Sequence, residues 1–320
     1  MSEPQVSVVM RTKDREILLK RAIMDVASQS FPSWELIIVN DGGAPKPVDA
    51  LLERYASALK GRARVIHNAQ SQGMEHASNQ AISEARGAYI CVHDDDDTWA
   101  PSFLERTVGL LEEHPEYAGV AVRTEIVLER IEGNRVVELG REPAWPEIHQ
   151  FSLTELMSQN IAVPIGCLYR AAVISELGGF RDDLPVVGDW EFHLRLAVAH
   201  DVAYIDGHPL AFWHQRRAQR GVMGNSVFAG ANDHAYFDLK VRDEYLREYA
   251  QAHGVGALLF IASMSKRSGG AGGGSALSTV KYQAQRGTRF FRSRWGAAQQ
   301  QQANPVTYIA RDLYHRLIQR

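Results

Sequence analysis

Over its first hundred residues the chain alternates short runs of β-branched and aromatic residues with segments of helical spacing. Val6 to Met10, Trp34 to Asn40, Ala63 to His67 and Ala88 to Val92 read as strands. Ile17 to Ser28, Val48 to Leu59 and Glu75 to Arg86 read as helices, the first carrying Leu18, Ala22 and Val26 on one face. Asp41-Gly42-Gly43 turns the chain after the second strand, and Gly87 ends the third helix. This alternation predicts an α/β fold, a mostly parallel sheet covered by helices on both faces. Ligands of such sheets bind beyond the carboxyl ends of the strands. The residues just after each strand are therefore where chemistry is expected.

The fourth strand ends in four consecutive aspartates, Asp94 to Asp97, followed by Thr98-Trp99. Neighbouring carboxylates repel by roughly 1 kcal/mol per pair at about 4 Å in water, and by several times more in a cleft. Positive charge is expected among them. A hard divalent cation, Mg²⁺ or Mn²⁺ shared with a phosphate, suits an all-oxygen donor set. A solvated acidic turn is the alternative for the run taken alone.

Beyond residue 120 the pattern loosens. Thr124 to Leu139 reads as a hairpin turning at Gly133-Asn134; Leu168 to Glu176 and Trp190 to His200 read as helices. A helical stretch is expected from Asn232 to about Met264. Then come a flexible glycine-rich loop (Ser265 to Ala276, most glycine-rich at 268–275), a basic aromatic segment (Lys281 to Trp295), a glutamine run and a helix from Pro305. The formal charge of −3 conceals a split: 22 Lys/Arg against 34 Asp/Glu before Lys240, and 13 against 4 from there on. An acidic body with a basic tail suits an anionic surface, a membrane face rather than nucleic acid. For the terminal helix, core packing or formation of a homo-oligomer is the commoner meaning and peripheral membrane contact the sharper one. Cys91 and Cys167 lack metal-type spacing and read as reduced core thiols. The N-terminal MSEPQVSVVMRTKDRE has no export pattern, so a cytoplasmic location is expected.

Three blocks resemble the family 2 glycosyltransferases of the GT-A (Rossmann-like) fold: Val6 to Gly43, GMEHASNQAISEARGAYICVHDDDDTW from Gly73 to Trp99, and LGGFRDDLPVVGDWEFHLRLA from Leu177 to Ala197. The resemblance implies a catalytic domain over residues 1–214 and a basic, mostly helical extension over 215–320. It implies Asp189 as the general base of an inverting transfer. Arg11, Thr12, Lys13, Asp14, Asp41, Asn79, Asp94 and Asp95 would hold the nucleotide, Asp41 accepting hydrogen bonds from the base. Asp96, with Asp94 and His214, would bind Mn²⁺ or Mg²⁺. Arg216, Arg217 and Arg220 would close over the diphosphate. Arg11 and Lys13 depart from the family pattern, which favours a small hydroxyl residue and an aromatic there. Ser78 also departs, because an arginine is common before the asparagine matched by Asn79. The implied partners are a nucleotide-diphosphate sugar donor and a glycan or lipid-linked acceptor at the cytoplasmic membrane face, in surface polysaccharide synthesis such as that of O-antigen. A non-catalytic nucleotide-sugar-binding or scaffold protein of a polysaccharide assembly complex is the competing reading. A dinucleotide dehydrogenase is excluded, since the turn Arg11 to Arg15 lacks the glycines that admit a pyrophosphate.

Overall fold

The computed structural model describes residues 3–219, 221–225 and 231–268. They divide into one unit that runs to Val241 and a second that starts at Arg242. The strands are β1 (Val6–Thr12), β2 (Trp34–Asp41), β3 (Ala63–Asn68), β4 (Tyr89–Val92), β5 (Thr98–Trp99), β6 (Gly119–Val122), β7 (Thr124–Glu132), β8 (Arg135–Pro143), β9 (Cys167–Arg170), β10 (Val202–Ile205) and β11 (Ala211–Gln215). Seven of them form the central sheet, in the order β10-β6-β9-β4-β1-β2-β3. Every pairing in it is parallel except those of β9, which runs antiparallel between β4 and β6.

The sheet separates two apolar layers, as the sequence pattern predicts. Val8, Met10, Leu36 and Ile38 pack with Leu19, Ile23 and Phe103 in one layer. Val9, Ile37, Val39 and Val92 pack with Ala77, Ala81 and Phe192 in the other. Successive strand residues point to opposite faces, so a strand buried on both sides is apolar without a break. The chain moves from β1 to β2 on one side and returns to place β4 on the other. That reversal opens a crevice at the carboxyl ends of β1 and β4, where open α/β sheets take their ligands.

The expected hairpin is present as β7 and β8, in a second sheet of order β5-β11-β7-β8. Its register slips between Leu128 and Glu129. Such a bulge re-aims a side chain, and here Glu129 is turned into the interior. Other expectations are corrected. Leu168 to Glu176 is not one helix: Cys167–Arg170 is strand, and only Ala171–Leu177 is helical. A four-residue run buried on both faces carries no period by which to tell the two apart. Val48 to Leu59 is two helices, Pro45–Arg54 and Ala56–Leu59. The C-terminal helical stretch breaks at Gly254, giving Ala231–His253 and Gly256–Ser268. The second of these extends into the segment read as a loop. The remainder of that loop, the basic aromatic segment, the glutamine run and the terminal helix lie outside the described residues. Among the described residues no helix is long and apolar enough to cross a membrane.

Candidate active site

At the β1/β4 crevice Thr12 Oγ1 donates to Asp95 Oδ2 at 2.7 Å, joining the ends of the two strands. The positive charge expected among the aspartates is supplied by arginines. Arg11 Nε meets Asp94 Oδ1 at 2.9 Å. Arg15 Nη1 reaches Asp95 Oδ1 at 3.1 Å and Asp96 Oδ2 at 3.3 Å. Arg216 Nη2 bonds the same Asp96 oxygen, and Asn225 Nδ2 approaches it at 3.3 Å. Asp97 is buried and accepts the backbone N–H of His214 at 2.8 Å. Burial and the neighbouring Asp96 push its carboxyl well above the usual range. From below, the loop is fixed by His93, whose ring nitrogens engage Asp94 O at 2.8 Å and Asp25 Oδ2 at 3.0 Å.

These strand ends line a cleft of about 490 Å³. Arg11, Thr12, Lys13, Asp41, Asp94, Asp95, Asp96 and Asp189 all open onto it, so the acidic loop and the expected base share one cavity. Asp189 stands in the first turn of the helix Gly188–Ala199. The preceding Val187 is held at φ 60°, left-handed backbone that a β-branched residue rarely adopts. Such strain, costing on the order of 1–3 kcal/mol, gathers at functional sites. Burial raises the Asp189 carboxyl above the ordinary aspartate range, although the Trp190 N–H and Asn160, which donates to Oδ2 at 3.0 Å, hold it back. The nearby Glu191 is not an alternative base. It is buried away from the cleft and bound to Arg195 at 2.8 Å.

Other expected site residues have different surroundings. The Asp41 carboxylate is filled by its own loop: it accepts from Asn68, Ser71 Oγ, Gln72 N and Gly73 N at 2.7 to 3.1 Å. Burial pushes it up, but these donors outweigh burial and hold it below the usual range. A carboxylate offers about four acceptor sites, and these donors occupy those of Asp41 where it forms the wall of the cleft. Asn79 spends its amide on Phe180 O at 2.7 Å, Phe180 N at 3.0 Å and Asp182 at 2.7 Å, and does not line the cleft. Asp14 lies outside it too, accepting Ala44 N at 2.9 Å. His214 Nδ1 meets Glu129 at 2.7 Å and Nε2 meets Thr98 Oγ1 at 2.8 Å, so both ring nitrogens are engaged below the acidic loop. Arg216 is fully buried and Arg217 pairs with Glu142; neither lines the cleft. Arg220 lies outside the described residues. The departure at Ser78 has a local answer: Arg11 Nη1 donates to Ser78 Oγ at 2.7 Å, so a guanidinium from β1 sits against the helix there.

Glu75 was not anticipated. It lies in the first turn of the helix Met74–Ser83, 6 % exposed, on the same inward stripe as Ser78 three residues on. An acid at that helical spacing, in line with Ser78 and beside Ala77 and Ala81, was the available signal. Burial lifts its carboxyl to about 7; Arg11 lowers it and Asp189 raises it. The folded state therefore binds this proton more tightly than the unfolded chain does. Its contribution to stability is full below about pH 4.5 and is lost as pH rises through 7. Glu75→Gln, which stays neutral, is expected to match wild type at pH 4.5 and to melt several degrees higher at pH 8. Thermal denaturation at the two pH values checks this, and an equal melting point at pH 8 would refute it.

The donor chemistry of the cleft fits a cation carried in by a diphosphate. Among the described residues no three carboxylate, imidazole or thiolate groups converge to hold a metal by themselves. Asp94 and Asp96 both face the cleft, and among the described residues nothing donates to Asp96 Oδ1. One or two carboxylates completed by substrate phosphates is how proteins usually hold Mg²⁺.

Residues 7–178, more than half of the chain, match the sequence model of Glycosyl transferase family 2, and the chain belongs to that family. It is 27% identical over 257 residues to the uncharacterized glycosyltransferase YwdF of Bacillus subtilis, covering 79% of this chain and 86% of YwdF. Over 104 residues it is 39% identical to WcaA of Escherichia coli, a protein named for colanic acid biosynthesis, covering 32% of this chain and 36% of that one. Similarity to y4gI of Sinorhizobium fredii, 28% over 193 residues, takes in 60% of this chain but only 20% of that protein. Among solved structures, the mannosyltransferase PcManGT of Pyrobaculum calidifontis, in complex with GDP-Man and Mn²⁺, superposes with a TM-score of 0.54 at 17% identity. The match covers 92% of this chain and 84% of PcManGT. At that identity the likeness speaks for the fold alone, which is GT-A.

Proposed function

We propose that the protein is an inverting glycosyltransferase that moves a sugar from a nucleotide diphosphate to a hydroxyl of a glycan or lipid-linked acceptor. One observation carries the reading: the acidic loop Asp94–Asp96 and the carboxylate of Asp189 open onto the same cleft from different elements. The acceptor oxygen attacks the anomeric carbon on the face opposite the phosphate. As the new C–O bond forms, the bond to the phosphate oxygen breaks, the acceptor proton passes to Asp189, and the nucleoside diphosphate departs. A carboxylate deprotonates an alcohol only as that bond forms, so Asp189 must act within hydrogen-bond reach. Its burial makes it a stronger base than an exposed aspartate.

Thr12, Lys13 and the Ser71–Gly73 wall would frame the nucleotide, with Arg11 and Arg15 beside the diphosphate. Asp94 and Asp96 would hold Mn²⁺ or Mg²⁺, which when bound neutralises the leaving diphosphate as a Lewis acid. The names of WcaA and PcManGT favour a surface polysaccharide pathway and a nucleotide-sugar donor. The basic stretch after Lys240 suits attachment to the cytoplasmic face of a membrane.

A calorimetric screen of UDP-, GDP- and TDP-sugars with and without Mn²⁺ tests the reading. One base should bind, and more tightly with the metal. No binding by any of the three would leave only the scaffold role.

A further inference from the structure

An in-line displacement fixes where the transferred sugar must lie, between the departing diphosphate oxygen and the hydroxyl attacking beside Asp189. Glu75 borders that interval on the cleft wall. On one side it faces Arg11, the partner of Asp94. On the other its carboxyl lies against the start of the Asp189 helix, where a Cβ on Gly188 would come within 2.6 Å of Glu75 Cδ and Oε1. Glycine at 188 is what makes room for it.

The Glu75 side chain as a whole is more than nine-tenths buried. Among the described residues, however, no hydrogen bond reaches it, and Arg11 Nη1 stands 3.6 Å away. Buried acceptors are ordinarily satisfied, and one left open at a cleft wall points to a ligand that fills it. The hydrogen-bond donors that a nucleotide sugar brings to this position are its hydroxyl groups. Three carboxyl groups, Glu75, Asp94 and Asp189, border the interval, and the single guanidinium of Arg11 is shared between Asp94 at 2.9 Å and Glu75 at 3.6 Å. A further carboxylate on the sugar would bring a fourth negative charge to a wall where Arg11 already serves two of the three, in a partly dry space.

Building on the transferase reading, we propose that Glu75 selects the transferred sugar. It accepts hydrogen bonds from the hydroxyls of a neutral hexose and, with Asp94 and Asp189, turns away donors whose sugar carries a carboxylate.

The test starts with UDP, GDP and TDP, to find the base that binds. Matched pairs on that base are then titrated at pH 8 with Mn²⁺: UDP-glucose and UDP-glucuronate, GDP-mannose and GDP-mannuronate, or TDP-glucose and TDP-glucuronate. Wild type, Glu75→Gln and Glu75→Ala are compared after thermal melts show which are folded. Wild type should bind the hexose at least about 30-fold more tightly than the hexuronate, and Glu75→Gln should narrow that gap by about tenfold, chiefly by admitting the hexuronate. Glu75→Ala should also lose about tenfold in hexose affinity. An absent gap in wild type, or one unchanged in Glu75→Gln, overturns the assignment while leaving the transferase reading intact. Failure of all three bases to bind removes both.

Discussion

Replacing Asp189 with asparagine should lower the rate of sugar transfer about a hundred- to ten-thousandfold, the usual worth of a positioned general base, and leave nucleotide affinity within about threefold. Asparagine retains the shape, and its carbonyl can still accept from Asn160, which donates to Asp189 Oδ2 at 3.0 Å. What is lost is the charge that receives the acceptor proton. Because Asp189 must be ionised to act, wild-type kcat/KM should rise with pH and then level off. Burial places the midpoint of that rise above the ordinary aspartate range. In Asp189→Asn that limb should vanish, leaving a low rate that does not follow the same titration. Glu191 cannot substitute, since Arg195 ties it to the carbonyls of Leu177 and Gly179. Product formation measured across pH, with calorimetry for the donor, checks both halves. A variant keeping a third or more of the wild-type rate would remove Asp189 from the chemistry while leaving the transferase reading in place.

Which parts of this site are legible in the sequence follows from range. The strands and helices of the first hundred residues are each specified by their own apolar spacing, and their order implies the crevice. Asp94 to Asp96 can be located because a strand end is a local property. Whether a polar side chain faces the crevice or turns aside depends on residues far along the chain. Asn79 is claimed by Phe180 and Asp182, about a hundred positions away. His214 is claimed by Glu129, which a bulge in β7 redirects inward. Neither the bulge nor these partners leaves a periodic trace. The central strand β9 was lost for a different reason: Cys167–Arg170 is too short for its period to declare itself. Glu75 was missed because a glutamate near a helix start has an ordinary explanation in the helix dipole, and only Gly188, 113 positions later, gives it a cleft to face.

Arg216→Met should be the most destabilising substitution tested, at about 3–5 kcal/mol, the cost typical of stripping one partner from a buried ion pair. The wild-type side chain has no exposed surface. Its guanidinium bonds Asp96 Oδ2, Glu129 Oε1 at 2.5 Å and Met223 O at 2.7 Å, tying the acidic loop, the β7 bulge and the chain after β11 into one network. Methionine fills similar space without charge, so packing loss contributes little and the carboxylates bear the consequence. Glu129 has only 2 % of its side chain exposed; burial pushes its carboxyl up, yet His214 and Arg21 bring it down to about 2. A folded value below the unfolded 4.5 means that Glu129 contributes stability above about pH 4.5 and loses it as pH falls toward 2. In Arg216→Met one of the cations facing it is gone, so the deficit should be greatest near neutrality and shrink in acid, where Glu129 takes up a proton. Adding Glu129→Gln should recover part of the loss, with a double-mutant coupling of about 1–3 kcal/mol. If Arg216 instead acted as a lid over the donor, the variant would melt like wild type and lose donor affinity. Denaturant unfolding at pH 7 and pH 4, beside donor titration, separates the two outcomes.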